Sequence, residues 1–266
     1  MDRKYTVILL AAQRAGVVNP LAAAHAVSHK CLVPISGAPL ISHVLRTLAD
    51  TPDVARVQIS VERDVWDDIW PIVKACRRAG QPIEFVESNS NIAASVLTAA
   101  EGCEGPFIVT TADNVLLTSG ALQSMMEVLD RADIAAAFAP ERAVKAVHEQ
   151  AQRRFYRFRD DAYSNCNLYG LANARALRAA GIFREGGQFM KNPKRLINAF
   201  GLLNIVMFRA GLFTLPQSMR RIAKRFGLKG EALIFRDGSL AVDVDNERTH
   251  AIAEPLLSQR LLANAA

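Results

Sequence analysis

Short apolar runs alternate with longer amphipathic segments over the first half of the chain. Apolar runs of this length predict buried strands, at residues 7–10, 54–61, 82–86, 106–110 and 134–138. The segments between them have apolar residues at helical spacing, at residues 40–48, 65–79, 92–100 and 119–130. Asn91 precedes the third of these helices and is a suitable cap for it. Strands and helices that alternate with short connections are typical of a mostly parallel sheet covered on both faces.

The second half of the chain is less regular. The pattern predicts antiparallel strands at residues 155–159 and 167–172. It predicts helices at residues 174–180 and 217–226. A late strand at residues 241–244 precedes a C-terminal helix at residues 247–262. No linker separates the halves, so we predict one domain over residues 1–266, divided into halves at 1–140 and 141–266.

The net charge of the chain indicates what kind of ligand it binds. The chain has 32 Lys and Arg against 26 Asp and Glu, a net charge of +6, which suits an anionic small-molecule substrate. A nucleic-acid partner would need base-stacking aromatics on a basic face. The candidates Phe155, Tyr156 and Phe158 alternate with arginines as in an edge strand, so we expect no nucleic-acid partner.

Four scattered cysteines, without a CxxC pair or a His/Cys cluster, argue against a structural zinc site and a disulfide framework. They indicate a reducing compartment. No apolar stretch reaches the length of a membrane span. We therefore predict a cytoplasmic protein.

The stretch at residues 7–40 has features of a polyphosphate site. A predicted strand leads into small and charged residues, Ala11, Ala12, Gln13 and Arg14, and Lys30 follows farther on. Small side chains let backbone N–H groups approach phosphate oxygens, and Arg14 and Lys30 supply positive charge. This order predicts binding of a nucleotide.

Three aspartates follow predicted strands. Asp113 comes directly after the strand at 106–110, and Asp243 and Asp245 lie on either side of Val244 at the end of the late strand. Residues two apart in a strand point to the same face, so both carboxylates are expected to face one site. Ligands sit at the carboxyl ends of parallel strands, and convergent carboxylates are how Mg²⁺ is commonly held. We predict that Asp113, Asp243 and Asp245 bind Mg²⁺.

These motifs occur in a recognisable order. They are Ala11-Ala12-x-Arg14, Lys30-x-Leu32-x-Pro34-x-x-Gly37-x-Pro39-Leu40, Thr111-Ala112-Asp113-Asn114 and Asp243-Val244-Asp245-Asn246. The order resembles the nucleotidyltransferases of the molybdenum-cofactor guanylyltransferase-like group. The resemblance implies a Rossmann-like, three-layer α/β/α sandwich of the glycosyltransferase-A type. It also implies transfer of NMP from an NTP to a phosphorylated acceptor, with release of pyrophosphate. We expect residues 1–140 to bind the nucleotide and residues 141–266 to bind the acceptor.

The resemblance also implies roles for particular residues. Lys30 and Arg14 would neutralise the triphosphate, while Asp113 and Asp245 would hold Mg²⁺ with Asp243 next to them. The base would be contacted by residues 11–13 and by residues 88–95, where Ser95 is the candidate. The loop departs from the glycine-rich family pattern through Gln13, Ala15 and an inserted segment at residues 17–29, so Gln13 becomes a candidate contact to base or ribose.

Basic groups in the second half have two interpretations. Arg153-Arg154 and the run at residues 191–195, which includes Lys194, are candidates for binding the acceptor's phosphate or are a solvated surface. An apolar stretch at residues 201–215 is followed by a basic segment at residues 219–226. Together they could bind an amphiphilic acceptor or make peripheral contact with anionic lipid. The other interpretation is that the apolar residues pack in the core.

Two other functions remain open at this point. One is a glycosyltransferase of the same fold that uses a nucleotide-sugar, although Lys30 favours a triphosphate. The other is a non-catalytic relative.

Overall fold

The computed structural model describes residues 4–13, 19–180 and 211–265. The strands of these residues, in chain order, are β1 Tyr5–Leu10, β2 Pro34–Ile35, β3 Ala38–Pro39, β4 Val54–Val61, β5 Ile83–Glu87, β6 Phe107–Thr111, β7 Ile134–Pro140, β8 Tyr156–Arg157, β9 Ala162–Leu171 and β10 Gly230–Ile234. The helices are α1 Pro20–Ala24, α2 Leu40–Ala49, α3 Trp66–Cys76, α4 Ile92–Ala100, α5 Ser119–Leu129, α6 Glu141–Val147, α7 Ala174–Ala180, α8 Leu215–Arg225 and α9 Glu247–Ala265.

A mostly parallel sheet forms the centre of the molecule. Over the described residues it has eight strands, in the order β10-β7-β9-β6-β1-β4-β5, with β8 paired to β9. Strand β9 is antiparallel to both β6 and β7, whereas β1 is parallel to β4 and β6. Leu10, at the end of β1, lies opposite Ser60 of β4 and Thr111 of β6, so these strands end at one edge.

Helices cover both faces of this sheet. Val7 and Leu9 pack in one cluster with buried residues of α2, α3 and α5, whereas Ile8 packs in another with residues of α4 and α7. Successive residues of a strand point to opposite faces, so a continuous apolar run is what a strand with helices on both sides requires. The predicted three-layer α/β/α fold is confirmed.

The helix ends follow from local hydrogen bonding. The Asn91 side chain accepts from the backbone N–H of Ala94 at 2.9 Å, as predicted for the start of α4. At α8, the Thr214 and Gln217 side chains form a reciprocal capping box.

The prediction of a strand at residues 241–244 is wrong. Residues Gly238–Ala241 form a 3-10 helix, and residues 242–245 follow it outside any strand of the described part of the chain. The Asp237 side chain starts this turn by accepting from the backbone N–H of Ser239 at 2.9 Å. The apolar residues Leu240, Ala241, Val242 and Val244 are nevertheless buried, so burial alone produced the strand-like pattern.

Candidate functional site

Lys30 links two aspartates that are far apart in sequence. It lies in a short 3-10 helix, Lys30–Leu32, just before the β2–β3 hairpin. Its Nζ donates to Asp245 Oδ1 at 2.6 Å and also to Asp113 Oδ2. The side chains of Lys30 and Asp113 are each 16% exposed, whereas that of Asp245 is 61% exposed. The structure therefore brings three of the predicted site residues together at the carboxyl edge of the sheet.

The two carboxylates keep Lys30 charged. Burial alone lowers the pKa of an ammonium group, but here the negative charges of Asp113 and Asp245 and their hydrogen bonds outweigh it. The pKa of Lys30 consequently lies above its ordinary value, so the side chain is a fixed positive charge at neutral pH.

A backbone contact joins the two aspartate motifs. Asp113 lies two residues after β6, and its carbonyl oxygen accepts from the N–H of Val244 at 3.1 Å. The Thr249 hydroxyl, in the first turn of α9, accepts from the N–H of Asp245 at 2.8 Å. The segment that carries Asp243 and Asp245 is thus held both by the end of β6 and by the start of α9.

Asp243 and Asp245 do not share a strand face, contrary to the prediction. Asp243 is 6% exposed, whereas the Asp245 side chain is largely in solvent. Burial, followed by the negative charges of Asp113 and Asp245, raises the pKa of Asp243 well above its ordinary value, against the opposing charge of Lys30. The three carboxylates are therefore near one another, but in unequal environments.

Two buried carboxylate oxygens are available to a cation. Asp113 Oδ1 and Asp243 Oδ1 have no hydrogen-bond partner among the described residues. Unpaired buried carboxylate oxygens are costly, and they are the ligands that a hard divalent ion prefers. Within the described ranges no three acidic, histidine or cysteine side chains are already grouped around a metal position. Lys30 Nζ donates to both Asp113 and Asp245.

The loop after β1 is fastened to the end of β4. Ala11 is buried and Ala12 exposed. The backbone N–H of Gln13 donates to Glu62 Oε1 at 2.9 Å, and its side-chain Nε2 donates to the Ser28 carbonyl at 3.0 Å. Gln13 Oε1 and Glu62 Oε2 are buried without a hydrogen-bond partner in the described part of the chain, although Glu62 Oε2 lies 3.7 Å from His29 Nε2. Sequence reasoning missed Glu62, although an acidic residue directly after an apolar strand is the signal that identified Asp113.

Ser95 has a local structural contact. It is buried near the start of α4, and its hydroxyl accepts from the N–H of Asn89 at 2.9 Å. This bond holds the loop between β5 and α4. Arg14 and Lys194, together with the basic run around Lys194, lie outside the described residues.

The basic segment predicted at residues 219–226 belongs to α8. That helix buries Leu215, Ser218 and Ala223 and has basic residues in its last turn. No helix in the described ranges is both long enough and apolar enough to span a bilayer.

A mostly parallel sheet with a lysine and two aspartates at its carboxyl edge defines an enzyme of the nucleotidyltransferase class. The chain belongs to the MobA-like NTP transferase domain family, whose sequence profile matches residues 10–227. The resemblance inferred from the motifs is thereby confirmed. The matched region ends before Asp243 and Asp245.

Solved structures share this fold. A hypothetical transferase from Thermus thermophilus is 21% identical, with a TM-score of 0.73, over 93% of this chain and 99% of that one. The 4-diphosphocytidyl-2C-methyl-D-erythritol synthase of Anaerococcus prevotii is 9% identical, with a TM-score of 0.62, over 97% and 100%. HddC from Yersinia pseudotuberculosis, complexed with GMP-PN, is 16% identical, with a TM-score of 0.56, over 95% and 99%. No curated protein sequence matches the chain.

Proposed function

We propose that this protein transfers NMP from an NTP to a phosphorylated acceptor, in a Mg²⁺-dependent reaction that releases pyrophosphate. The observation that carries the proposal is the position of Lys30, a permanently charged ammonium between Asp113 and Asp245 at the carboxyl edge of the sheet. Membership of an NTP transferase family supports it.

The chemistry needs charge and position more than proton transfer. An oxygen of the acceptor's phosphate attacks the α-phosphorus of the NTP and forms a new P–O bond. The bond from the α-phosphorus to the oxygen that bridges to the β-phosphate breaks, and pyrophosphate leaves with that oxygen. Because the acceptor is already anionic, no side-chain base is required. Lys30 neutralises the triphosphate and the charge that develops around the α-phosphorus, and Arg14 has the same role by family resemblance.

The carboxylates suit the metal that this chemistry uses. Asp113 and Asp245 would hold Mg²⁺, with Asp243 next to them, and the unpartnered Oδ1 atoms of Asp113 and Asp243 fit such a role. When bound, the ion neutralises phosphate oxygens and polarises the phosphorus toward attack. Lys30 Nζ competes with it for the oxygens of Asp113 and Asp245.

The loop after β1 is assigned to the nucleotide. Ala11 and Ala12 are small residues assigned to the nucleotide. The exposed Ala12 leaves room for a phosphate, whereas Ala11 is buried and its N–H donates to the Ser60 carbonyl at 2.9 Å. Gln13 Oε1 is a buried acceptor available to a base or ribose donor. Ser95 acts on the base through the loop that it holds. Residues 1–140 form the nucleotide-binding half, and residues 141–266 form the acceptor-binding half.

Nucleotide binding is tested first by thermal shift. The protein is titrated with the common NTPs, with and without Mg²⁺. A ligand present at about 100 times its Kd stabilises the fold by about 2.7 kcal/mol. We expect at least one NTP to raise the Tm in a Mg²⁺-dependent way.

Catalysis is tested in the reverse direction, which requires no prior choice of acceptor. The protein is mixed with nucleoside-diphosphate conjugates of sugars, cofactors and alcohols and with labelled pyrophosphate. Formation of labelled NTP supports nucleotidyl transfer. Release of the nucleoside diphosphate from a nucleotide-sugar without pyrophosphate, with the glycosyl group passing to water or to an added alcohol, would instead identify the glycosyltransferase. The absence of both nucleotide binding and exchange would identify a non-catalytic relative.

A further inference from the structure

Another group of charged residues lies beside Asp245, on the acceptor half. Arg248 is in the first turn of α9, three residues after Asp245, and its Nη1 donates to the carbonyl oxygen of Ala151 at 3.4 Å. The next residue, Gln152, donates through Nε2 to the Ala241 carbonyl at 2.8 Å. The loop around residues 151–153 is therefore fastened to the segment that leads into the aspartate motif.

This loop places a second arginine near the first. Arg153 follows Gln152 directly, and its positive charge acts on Arg248. Burial and the charge of Arg153 lower the pKa of Arg248, while Asp245 opposes them. Neither guanidinium forms an ion pair with a carboxylate of the described residues. The opposing charge on Arg248 comes from Asp245, whose side chain is 61% exposed and therefore screened by solvent. The repulsion between two like charges raises the free energy of the fold, and an anion bound between them lowers it.

The charge balance of the site indicates which anion this is. The charge of Lys30 is matched by Asp113 and Asp245, to which its ammonium is paired. The two arginines therefore add positive charge next to the exposed carboxylate of Asp245. A guanidinium pairs with phosphate through two parallel hydrogen bonds, and a phosphate monoester can carry a charge for each arginine.

We propose that Arg153 and Arg248 bind the phosphate monoester of the acceptor and hold it beside Asp245 as the nucleophile. This inference rests on the nucleotidyl transfer proposed above. The bound phosphate uses one of its oxygens to form the bond to the α-phosphorus, and pyrophosphate leaves with the electron pair of the broken bond. Sequence reasoning singled out Arg153 but missed Arg248, because a single arginine at the start of a helix forms no motif.

Chemical modification of arginine tests this site without knowledge of the acceptor. The full chain is treated with phenylglyoxal, and labelling of each arginine is followed by peptide mass spectrometry. Methyl phosphate serves as the probe, in the presence of Mg²⁺ and a non-hydrolysable analogue of whichever NTP stabilises the fold. Methyl sulfate, which has a similar shape and only a single charge, serves as the control ligand.

We expect methyl phosphate at about five times its Kd to slow labelling of Arg153 and Arg248 about sixfold by mass action, and methyl sulfate to protect them far less. Arg131, which pairs with Glu231 at the opposite edge of the sheet, is the internal control and should be labelled equally throughout. In Arg248→Gln, protection of Arg153 should be lost while the thermal shift produced by the NTP stays. Arg248→Lys should restore part of the protection. Arg153→Gln, at an exposed position, is a second variant for the same labelling experiment.

Other outcomes overturn the inference. Equal protection by the two methyl esters, or none by either, shows that the pair does not select a phosphate dianion. Complete protection by the NTP analogue alone assigns the arginines to the triphosphate instead. If no NTP stabilises the fold, the proposed function fails by itself, and labelling with methyl phosphate alone still measures whether the arginines bind a phosphate monoester.

Discussion

Replacement of Lys30 by methionine is the most direct test of the site. The change removes the ammonium and keeps most of the apolar stem, so Asp113 Oδ2 and Asp245 Oδ1 lose a shared donor. Removing a preorganised charge from a site of developing negative charge typically lowers kcat by about 10²–10³-fold, or about 3–4 kcal/mol. We expect pyrophosphate exchange in Lys30→Met to fall by about that factor.

The same change should cost only part of the fold's stability. Breaking a fully buried ion pair costs about 3–5 kcal/mol, whereas an exposed pair contributes about 0–1 kcal/mol. Lys30 and Asp113 are largely buried, but Asp245 is 61% exposed and its contribution is screened by solvent. The free energy of unfolding should therefore drop by about 1–3 kcal/mol, which urea denaturation measures.

Two binding measurements separate this explanation from general damage. In Lys30→Met, affinity for Mn²⁺ without nucleotide should rise, because no ammonium competes for the carboxylate oxygens, while affinity for the NTP should fall. Lys145→Met is the matched control, since Lys145 also bridges two carboxylates, Glu141 at the start of α6 and Glu149 just after that helix. Exchange activity within a few-fold of the wild type, or a parallel loss of metal and nucleotide affinity, would refute the reasoning.

Three further changes test other parts of the structure. Asp113→Asn keeps the size of the side chain but removes its charge, so exchange activity should fall by about 10²-fold or more with an unchanged circular dichroism spectrum. In Gly238→Ala a Cβ would lie 2.1 Å from the carbonyl oxygen of Ala143, so unfolding free energy measured in urea should drop by about 1–3 kcal/mol. The pKa of His43 is lowered, chiefly by burial, so the folded state resists its protonation and stability falls as the pH drops through its ordinary pKa of about 6.5. His43→Gln should therefore lose less Tm between about pH 7.5 and about pH 5.5 than the wild type does, and an equal loss would contradict the assignment.

The first half of the fold follows closely from the pattern of apolar residues. The predicted strand at residues 54–61 and helix at 92–100 coincide with β4 and α4, because central strands are buried on both faces and Asn91 caps the helix. The prediction of a strand at residues 241–244 was wrong because an apolar run indicates that residues are buried but does not indicate their hydrogen-bond partners. The segment instead forms the 3-10 helix Gly238–Ala241, whose first residue packs directly against the backbone of Ala143.

The sequence predicts those parts of the candidate site whose position follows from the sheet topology. Asp113 follows a parallel strand, so its place at the carboxyl edge could be read from the sequence. The unequal burial of Asp243 and Asp245 could not, because it depends on the hydrogen bonds from Val244 to Asp113 and from Asp245 to Thr249. Long-range contacts of this kind leave no local pattern.

The C-terminal helix α9 connects the two parts of the site that are farthest apart in sequence, the region of Lys30 and that of Asp245. It carries Asp245 just before its first turn, and its His250 Nε2 donates to the Pro34 carbonyl at 2.8 Å. Farther along, Glu254 Oε1 accepts from the N–H of Ser36 at 3.2 Å, so the helix also holds the hairpin that follows Lys30. The ion pair between Lys30 and Asp245 thus joins two elements that are already fastened to each other, and little entropy is lost when it forms. The family profile ends at residue 227, so the geometry around Lys30 depends on a helix beyond the matched region.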